Sequence, residues 1–298
     1  MYMEKIAVLM GGTSNEREVS LVSGKNVADA LESTGRYDVV RVDVKNDTLD
    51  DMPKDVSRAY IALHGGWGEN GGVQAALDRL GIPYTGPGAL ASRIAMDKIR
   101  TKEVLKAKGV PTAPWSVISV GGGTKSPLPF PVVVKPPKDG SSVGISKCRD
   151  DREFAEGLEL ALKTDGEIAL IEEFIPGREF TVGVIDGEPL PVIEIVAKGG
   201  WYGYEEKYNS EETKYPFFED PVLAPKMQKT AVAAYDALGC RGVTRVDFRM
   251  SPAGDMYVLE LNTSPGFTSH SLVPKAGMKT GLTFAGVCEK ILAAARHD

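Results

Sequence analysis

Apolar positions along the chain alternate between short continuous runs and stripes of 3.6-residue period. Residues 6–10 form a run that reads as a buried strand, closed by Gly11-Gly12 with Thr13 and Ser14 behind it. Val19, Val22, Val27, Ala30 and Leu31 then recur on one side of a helical wheel, the pattern of an amphipathic helix. Runs at 39–44 and 59–63 predict two more strands, and residues 72–80 predict a helix. Strands alternating with helices point to a parallel α/β unit at the N-terminus. Gly86-Pro87-Gly88 interrupts it and precedes a single predicted helix over 89–108, which carries Asp97 and Lys98.

Beyond Gly109-Val110-Pro111 the pattern changes. Gly121–Gly123 with Pro127, Pro129 and Pro131 mark a surface connection, since both residue types punctuate regular structure. Residues 130–135 read as a β-branched strand, 138–145 as a glycine-bearing loop, 151–163 as an amphipathic helix and 168–172 as a strand. Strands at 179–185 and 190–196 are joined by Asp186-Gly187, a hairpin signal. Residues 199–220 are polar, aromatic and aperiodic and predict one long loop, a length usually tied to function. Met227, Ala231, Ala234, Tyr235 and Leu238 line a helix over 224–238; strands at 243–249 and 256–262 and a helix over 282–295 complete the chain.

Composition narrows the class without naming it. A chain of 298 residues supports two or three packed units. With 42% apolar and 26% charged residues it is neither disordered nor fibrous. A net charge of -6 and a pI near 5.3 argue against nucleic acid as the partner, because phosphate backbones favour a surplus of Lys and Arg. They leave room for a local basic site serving one phosphorylated ligand. The opening MYMEKIAVLMGG lacks the apolar stretch of a signal peptide. No window nears the ~20 apolar residues of a membrane span, so a cytoplasmic protein without membrane partners is expected. Cys148, Cys240 and Cys288 are widely spaced with no CxxC pair, which predicts reduced thiols rather than a disulfide or metal site.

Candidate chemistry concentrates near the C-terminus. Asp247 lies in RVDF, and Glu260 and Asn262 are two apart in LELN. Strand residues i and i+2 share a face, so Glu260 and Asn262 project together, and Asp247 faces them if the strands pair. Two carboxylates and an amide oxygen suit Mg²⁺, which keeps waters and is shared with substrate phosphates. A solvated strand face is the competing reading. KPPKDGSSVGIS, from Lys135 to Ser146, is not a Walker loop, yet its glycines and serines could offer N–H and hydroxyl donors to phosphate or simply form a turn. HGGWGENGGVQ contains His64, equally readable as a structural histidine. In GGTSNEREVS, Ser14 is a candidate cap and Glu16 a first-turn carboxylate favoured by the helix dipole. ELNTSPGFTSHS supplies a Pro265-Gly266 turn and a Thr/Ser cluster, which would serve equally as a locally bonded loop.

In order, these motifs resemble those of the D-alanine–D-alanine ligases of the ATP-grasp superfamily. The match runs from GGTSNEREVSL through HGGWGENGGVQ, YTGPGALASRIAMDK and VVKPPKDGSSVGIS to ELNTSPGFTSHSLVP, and includes EEKY in the long loop. The resemblance implies a three-domain ATP-grasp fold: an N-terminal parallel α/β substrate domain over 1–96, then two α+β domains over 97–180 and 181–298 that clasp ATP. It implies ligation of two D-alanines through a D-alanyl phosphate, for peptidoglycan precursor synthesis, by a cytoplasmic homodimer. Another carboxylate–amine ligase of the same superfamily, or a non-catalytic nucleotide-binding protein on that scaffold, is the alternative.

Site roles follow from the same resemblance. Lys98 and Lys135 match phosphate-contacting lysines, and Ser141 and Ser142 the loop that closes over the triphosphate. Glu172 with the backbone of Phe174 and Ile175 resembles an adenine-reading hinge, and Glu179 a carboxylate that accepts from ribose hydroxyls. Asp247, Glu260 and Asn262 match Mg²⁺ ligands, with two ions expected and Mn²⁺ able to substitute. Glu16 looks like the acceptor of the first D-alanine ammonium, and His64 lies near its carboxylate. Arg245 and the Gly266 N–H would stabilise the tetrahedral oxyanion, usually a large electrostatic term. Ser271, with Leu272 beside it, resembles the site of the second D-alanine carboxylate. Lys207 and Tyr208 belong to the covering loop; a tyrosine there goes with the dipeptide and a phenylalanine with D-lactate as second substrate. Two departures stand out: Asn70 where the family pattern reads Asp, and Gly203 between Tyr202 and Tyr204 where it reads Asp.

Overall fold

The computed structural model describes residues 3–138, 140, 144–197, 212–268 and 271–298. The first apolar run folds as β1 (Glu4–Gly11), flanked in register and parallel by β2 (Tyr37–Val44) and β3 (Arg58–Ile61). Helix α1 (Arg17–Ser33) covers this sheet with part of the expected stripe, Val27 and Leu31, and with small residues beside it. Ser20, Ser23, Gly24, Val27, Ala28 and Leu31 face inward, whereas Val22 is 50% exposed. The reason is a close approach: a Cβ on Gly24 would lie 2.4 Å from Met10 Cβ, so the contact face consists largely of small residues. Ser20 fills the remaining polar demand, accepting from Gly11 N–H and donating to the Ala62 carbonyl.

Helices α2 (Gly66–Glu69) and α3 (Gly72–Leu80) follow. The helix expected over 89–108 is two helices, α4 (Ala89–Met96) and α5 (Lys98–Ala107). Asp97 breaks them by adopting extended backbone and accepting at its carboxylate from Ile99 N–H (3.0 Å) and Arg100 N–H (3.1 Å). An Asp that caps the following turn competes with its own helical conformation. Lys98 thereby becomes the first residue of α5.

The middle sheet contains β4 (Trp115–Ser119), β5 (Val132–Lys135), β6 (Ser146–Cys148) and β7 (Ile168–Glu173), in the antiparallel order β4-β7-β5-β6, covered by α6 (Asp151–Asp165). Its core is Val132, Val134, Phe154, Leu158, Ala161, Ala169 and Ile171 with Cys148. β4 was not predicted: it is an edge strand, half-buried along most of its length, and so shows no alternation.

The last sheet joins β8 (Arg178–Ile185), β9 (Glu188–Pro189), β10 (Ile193–Ile195), β11 (Val243–Met250) and β12 (Met256–Asn262). Its order is β10-β8-β11-β12, with β9 on β8. Asp186 and Gly187 both take positive φ, as the predicted hairpin turn requires. The strand expected over 190–196 contracts to β10, and the tail of the expected long loop is not loop throughout. Val196 pairs with Lys214 and Ile193 with Phe217 along the sheet edge. Helix α7 (Leu223–Ala237) packs its predicted apolar face on this sheet, and α8 (Leu272–Lys279) and α9 (Phe284–Ala293) close against α1 and the N-terminal core. α8 was also unpredicted. Pro274 lies in its first turn, the one helical stretch where a missing N–H costs nothing. Among the described residues no helix is long and apolar enough to cross a membrane.

Candidate active site

β11 and β12 pair antiparallel, placing Asp247 opposite Glu260 and Arg245 opposite Asn262, with a bulge just after Asp247. Alternation puts all four side chains on one face. Asp247 is 7% exposed and fully engaged. Its Oδ1 accepts from Thr181 Oγ1 on β8 (2.6 Å) and Arg245 Nε (3.0 Å), and its Oδ2 from Arg245 Nη2 (2.8 Å) and Asn262 Nδ2 (3.0 Å). Across the face, Lys98 Nζ lies 3.3 Å from Glu260 Oε2. The helix break at Asp97 is what delivers that lysine.

The donor set fits a hard divalent cation. No group of three or more His, Cys, Asp or Glu side chains is assembled among the described residues. Two carboxylates and one amide would therefore leave part of a cation's coordination to water and phosphate oxygens, the habit of Mg²⁺. Asn262 directs its NH₂ at Asp247, which leaves its Oδ1 as the third oxygen donor. Arg245 and Lys98 meanwhile balance the two carboxylates.

Glu172 is buried on β7. Its carboxylate is not presented to a base: it is 3% exposed and held between two ammonium groups, Lys102 Nζ at 2.5 Å and Lys135. Burial pushes this carboxyl upward, but the two lysines outweigh it and hold it at about 2. Lys102, absent from the sequence reading, is fully buried and also donates to Thr112 Oγ1 (2.6 Å) and the Ala113 carbonyl (3.2 Å). Its position four residues after Lys98, on the same helix, was the available signal. Phe174 N–H donates to the Pro131 carbonyl (3.1 Å), and its ring lies 3.5 Å beneath Lys147 Nζ. Ile175 is buried and its carbonyl accepts from Arg249 Nε (3.2 Å). Glu179 pairs with Arg249 (3.2 Å). Burial, with Asp247 and Glu260 adding repulsion, raises its carboxyl to about 7 against the opposing pull of Arg249.

A cavity of about 290 Å³ opens between the N-terminal and C-terminal sheets. Glu16, His64, Lys98, Arg245, Glu260, Asn262, Gly266, Ser271 and Leu272 all line it; Asp247, Lys135, Glu172, Phe174, Ile175 and Glu179 lie off it. Glu16 occupies the N-cap position of α1, one residue earlier than a first-turn carboxylate. Ser14 does not cap the helix; its hydroxyl accepts from Glu16 N–H (3.2 Å) and donates to the His64 carbonyl (2.5 Å). Glu16 reaches toward the start of the glycine-bearing loop, since a Cβ on Gly140 would sit 3.9 Å from Glu16 Oε2. His64, 5% exposed, has both ring nitrogens engaged, Nδ1 with the Ser264 carbonyl and Nε2 with Ser23 Oγ, each at 3.0 Å. It borders the cavity. Ser271 Oγ accepts from Thr268 N–H (2.8 Å) and lies 2.9 Å from where a Gly266 Cβ would be. Asn70 supports the fold directly, its Oδ1 accepting from Gly72 N–H at the start of α3 (3.1 Å). Ser141, Ser142, Tyr202, Gly203, Tyr204, Lys207 and Tyr208 lie outside the described residues.

Comparison with known proteins returns one consistent family. Residues 104–293 match the family described as D-ala D-ala ligase C-terminus, and residues 5–49 match D-ala D-ala ligase N-terminus. A D-alanine–D-alanine ligase of Syntrophotalea carbinolica is 46% identical over 299 aligned residues, covering 99% of this chain and 97% of that protein. The crystal structure of D-alanine–D-alanine ligase from Bacillus anthracis complexed with ATP superimposes with a TM-score of 0.87 at 33% identity, covering 98% and 97% of the two chains. The VanG D-Ala:D-Ser ligase of Enterococcus faecalis gives a TM-score of 0.84 at 28% identity, covering 98% and 99%.

Proposed function

The chain belongs to the D-alanine–D-alanine ligase family, with the ATP-grasp fold, and from that premise we propose that it joins two D-alanine molecules at the expense of ATP in peptidoglycan precursor synthesis. The observation that carries the reading is one cavity bordered by an acid for an ammonium group (Glu16), cations for phosphate and oxyanion (Lys98, Arg245), the hard-donor pair Glu260 and Asn262, and a polar loop for a second carboxylate (Gly266, Ser271).

The reaction runs in two stages. The carboxylate of the first D-alanine takes the γ-phosphoryl group, and the amine of the second then displaces phosphate. A carboxylate oxygen is a poor leaving group and phosphate a good one, so the protein's task is mainly placement and charge neutralisation. Glu16 receives the first ammonium. Lys98 leaves Glu260 for the triphosphate, and Lys135, assisted by Ser141 and Ser142, holds the inner phosphates. Asp247, Glu260 and Asn262 would hold Mg²⁺, two ions with Mn²⁺ able to substitute, which neutralises triphosphate charge when bound. Arg245 and Gly266 N–H steady the oxyanion, Ser271 and Leu272 seat the second D-alanine, and Lys207 and Tyr208 cover the site against water.

Glu172 serves the nucleotide site by orienting Lys135, leaving the hinge backbone around Ile175 for adenine and Glu179 for ribose. The division into units over 1–96, 97–180 and 181–298, a cytoplasmic location and a homodimer are part of the same reading. Phosphate release from ATP tests it: D-alanine alone should support release with D-alanyl-D-alanine as product, and D-serine or D-lactate as second substrate should be poor. Release driven by another amine in preference to D-alanine would overturn the dipeptide assignment while sparing the fold. The similarity to a D-Ala:D-Ser ligase is the specific reason to include D-serine.

A further inference from the structure

Beyond β12 the chain runs through Thr263-Ser264-Pro265-Gly266-Phe267, and the N-terminal unit grips this segment on both sides of Gly266. Ser264 Oγ donates to the Leu63 carbonyl (2.7 Å), and the Ser264 carbonyl accepts from His64 Nδ1 (3.0 Å). On the far side, Phe267 N–H donates to Ser23 Oγ (3.2 Å) and the Phe267 carbonyl accepts from Asn26 Nδ2 (3.1 Å). Ser23 and Asn26 lie three apart on α1, hence on one face. They take the two polar groups of a single backbone residue.

The bonds also fix one another's direction. A carbonyl only accepts, so His64 Nδ1 carries the ring proton. With the ring neutral, Nε2 is then an acceptor and takes the Ser23 hydroxyl hydrogen (3.0 Å), while Ser23 Oγ accepts from Phe267 N–H. His64, Ser23 and Phe267 thus form one hydrogen-bonded chain. Gly266 has no side chain to hold it, follows a proline, and lies between the two gripped residues against Ser271. We infer that Ser23 and Asn26 are positioning residues that hold the Gly266 N–H on the reaction centre. This rests on the reading above that Gly266 supplies an oxyanion donor.

Ser23→Ala and Asn26→Ala in the full chain test it, with Gly266→Pro, which deletes the N–H, as reference. Ser23 is fully buried, whereas Asn26 is only half-buried, so Asn26→Ala decides the matter should Ser23→Ala fail to fold. Each alanine variant should lower kcat for dipeptide formation about tenfold, since small misplacement of a donor is costly. Affinity for ADP should stay within about twofold, because the nucleotide groups lie elsewhere. If Gly266→Pro is impaired and both alanine variants turn over like the parent, the inference fails and the oxyanion reading stands. If Gly266→Pro itself turns over normally, both fail. A fall in ADP affinity parallel to kcat marks general loosening and likewise overturns the inference.

Discussion

Arg245 and Asp247 illustrate how one residue contact can serve two states. In the structure the guanidinium bonds both oxygens of Asp247, a bidentate arrangement that fixes its plane. The same arginine borders the cavity where the oxyanion would develop. Arg245→Ala should cost on the order of 10²-fold in kcat, typical of losing one oxyanion donor; steady-state kinetics at saturating substrates check this, and a mild effect would remove Arg245 from that role. Lys102 is a residue of another kind, buried and off the cavity. Lys102→Met leaves Glu172 with Lys135 as its remaining ammonium partner and should destabilise the protein by about 1.5–3 kcal/mol, as losing a hydrogen bond to a charged group does. Urea unfolding measures it. The mutation should also bind Lys135 more tightly to Glu172 and so raise KM for ATP.

At the scale of elements, legibility followed periodicity. A continuous apolar run gave β1, interleaved apolar and polar residues gave β2 and β11, and alternating polar residues within β12 placed Glu260 and Asn262 on one face. On α1 the stripe places Val27 and Leu31 inward, but the close contact at Gly24 is made by small and polar residues, which carry no hydrophobic period. The clamp on Phe267 was invisible for a different reason: its partners Ser23 and Asn26 lie 244 and 241 residues away in sequence, and no local pattern encodes such contacts. Nor did spacing distinguish a base-facing Glu172 from a buried one, since that depends on Lys102 and Lys135 converging from two elements. The break between α4 and α5 has a direct test. Asp97→Ala removes the cap on Ile99 and Arg100 N–H groups and should cost about 1 kcal/mol, read by urea unfolding, while weakening ATP binding through Lys98. Unchanged stability would show that the cap does not hold the break.

For the whole molecule, the three sheets and the segments beside them share out the site residues. The N-terminal unit supplies Glu16 and the grip on the Gly266 segment from α1 and the stretch after β3, the middle sheet carries Lys135 and Glu172, and the C-terminal sheet carries Arg245, Asp247, Glu260 and Asn262. None of these units holds the cavity alone, so activity depends on their relative placement as much as on any side chain. The central claim is that the shared face of β11 and β12 is where the γ-phosphoryl group is transferred. Its most direct measurement is ADP formation by Asp247→Ala and Glu260→Gln across a Mg²⁺ titration with saturating D-alanine. The account predicts folded proteins that form essentially no ADP at any Mg²⁺ concentration; parental turnover at saturating Mg²⁺ in either variant would contradict it.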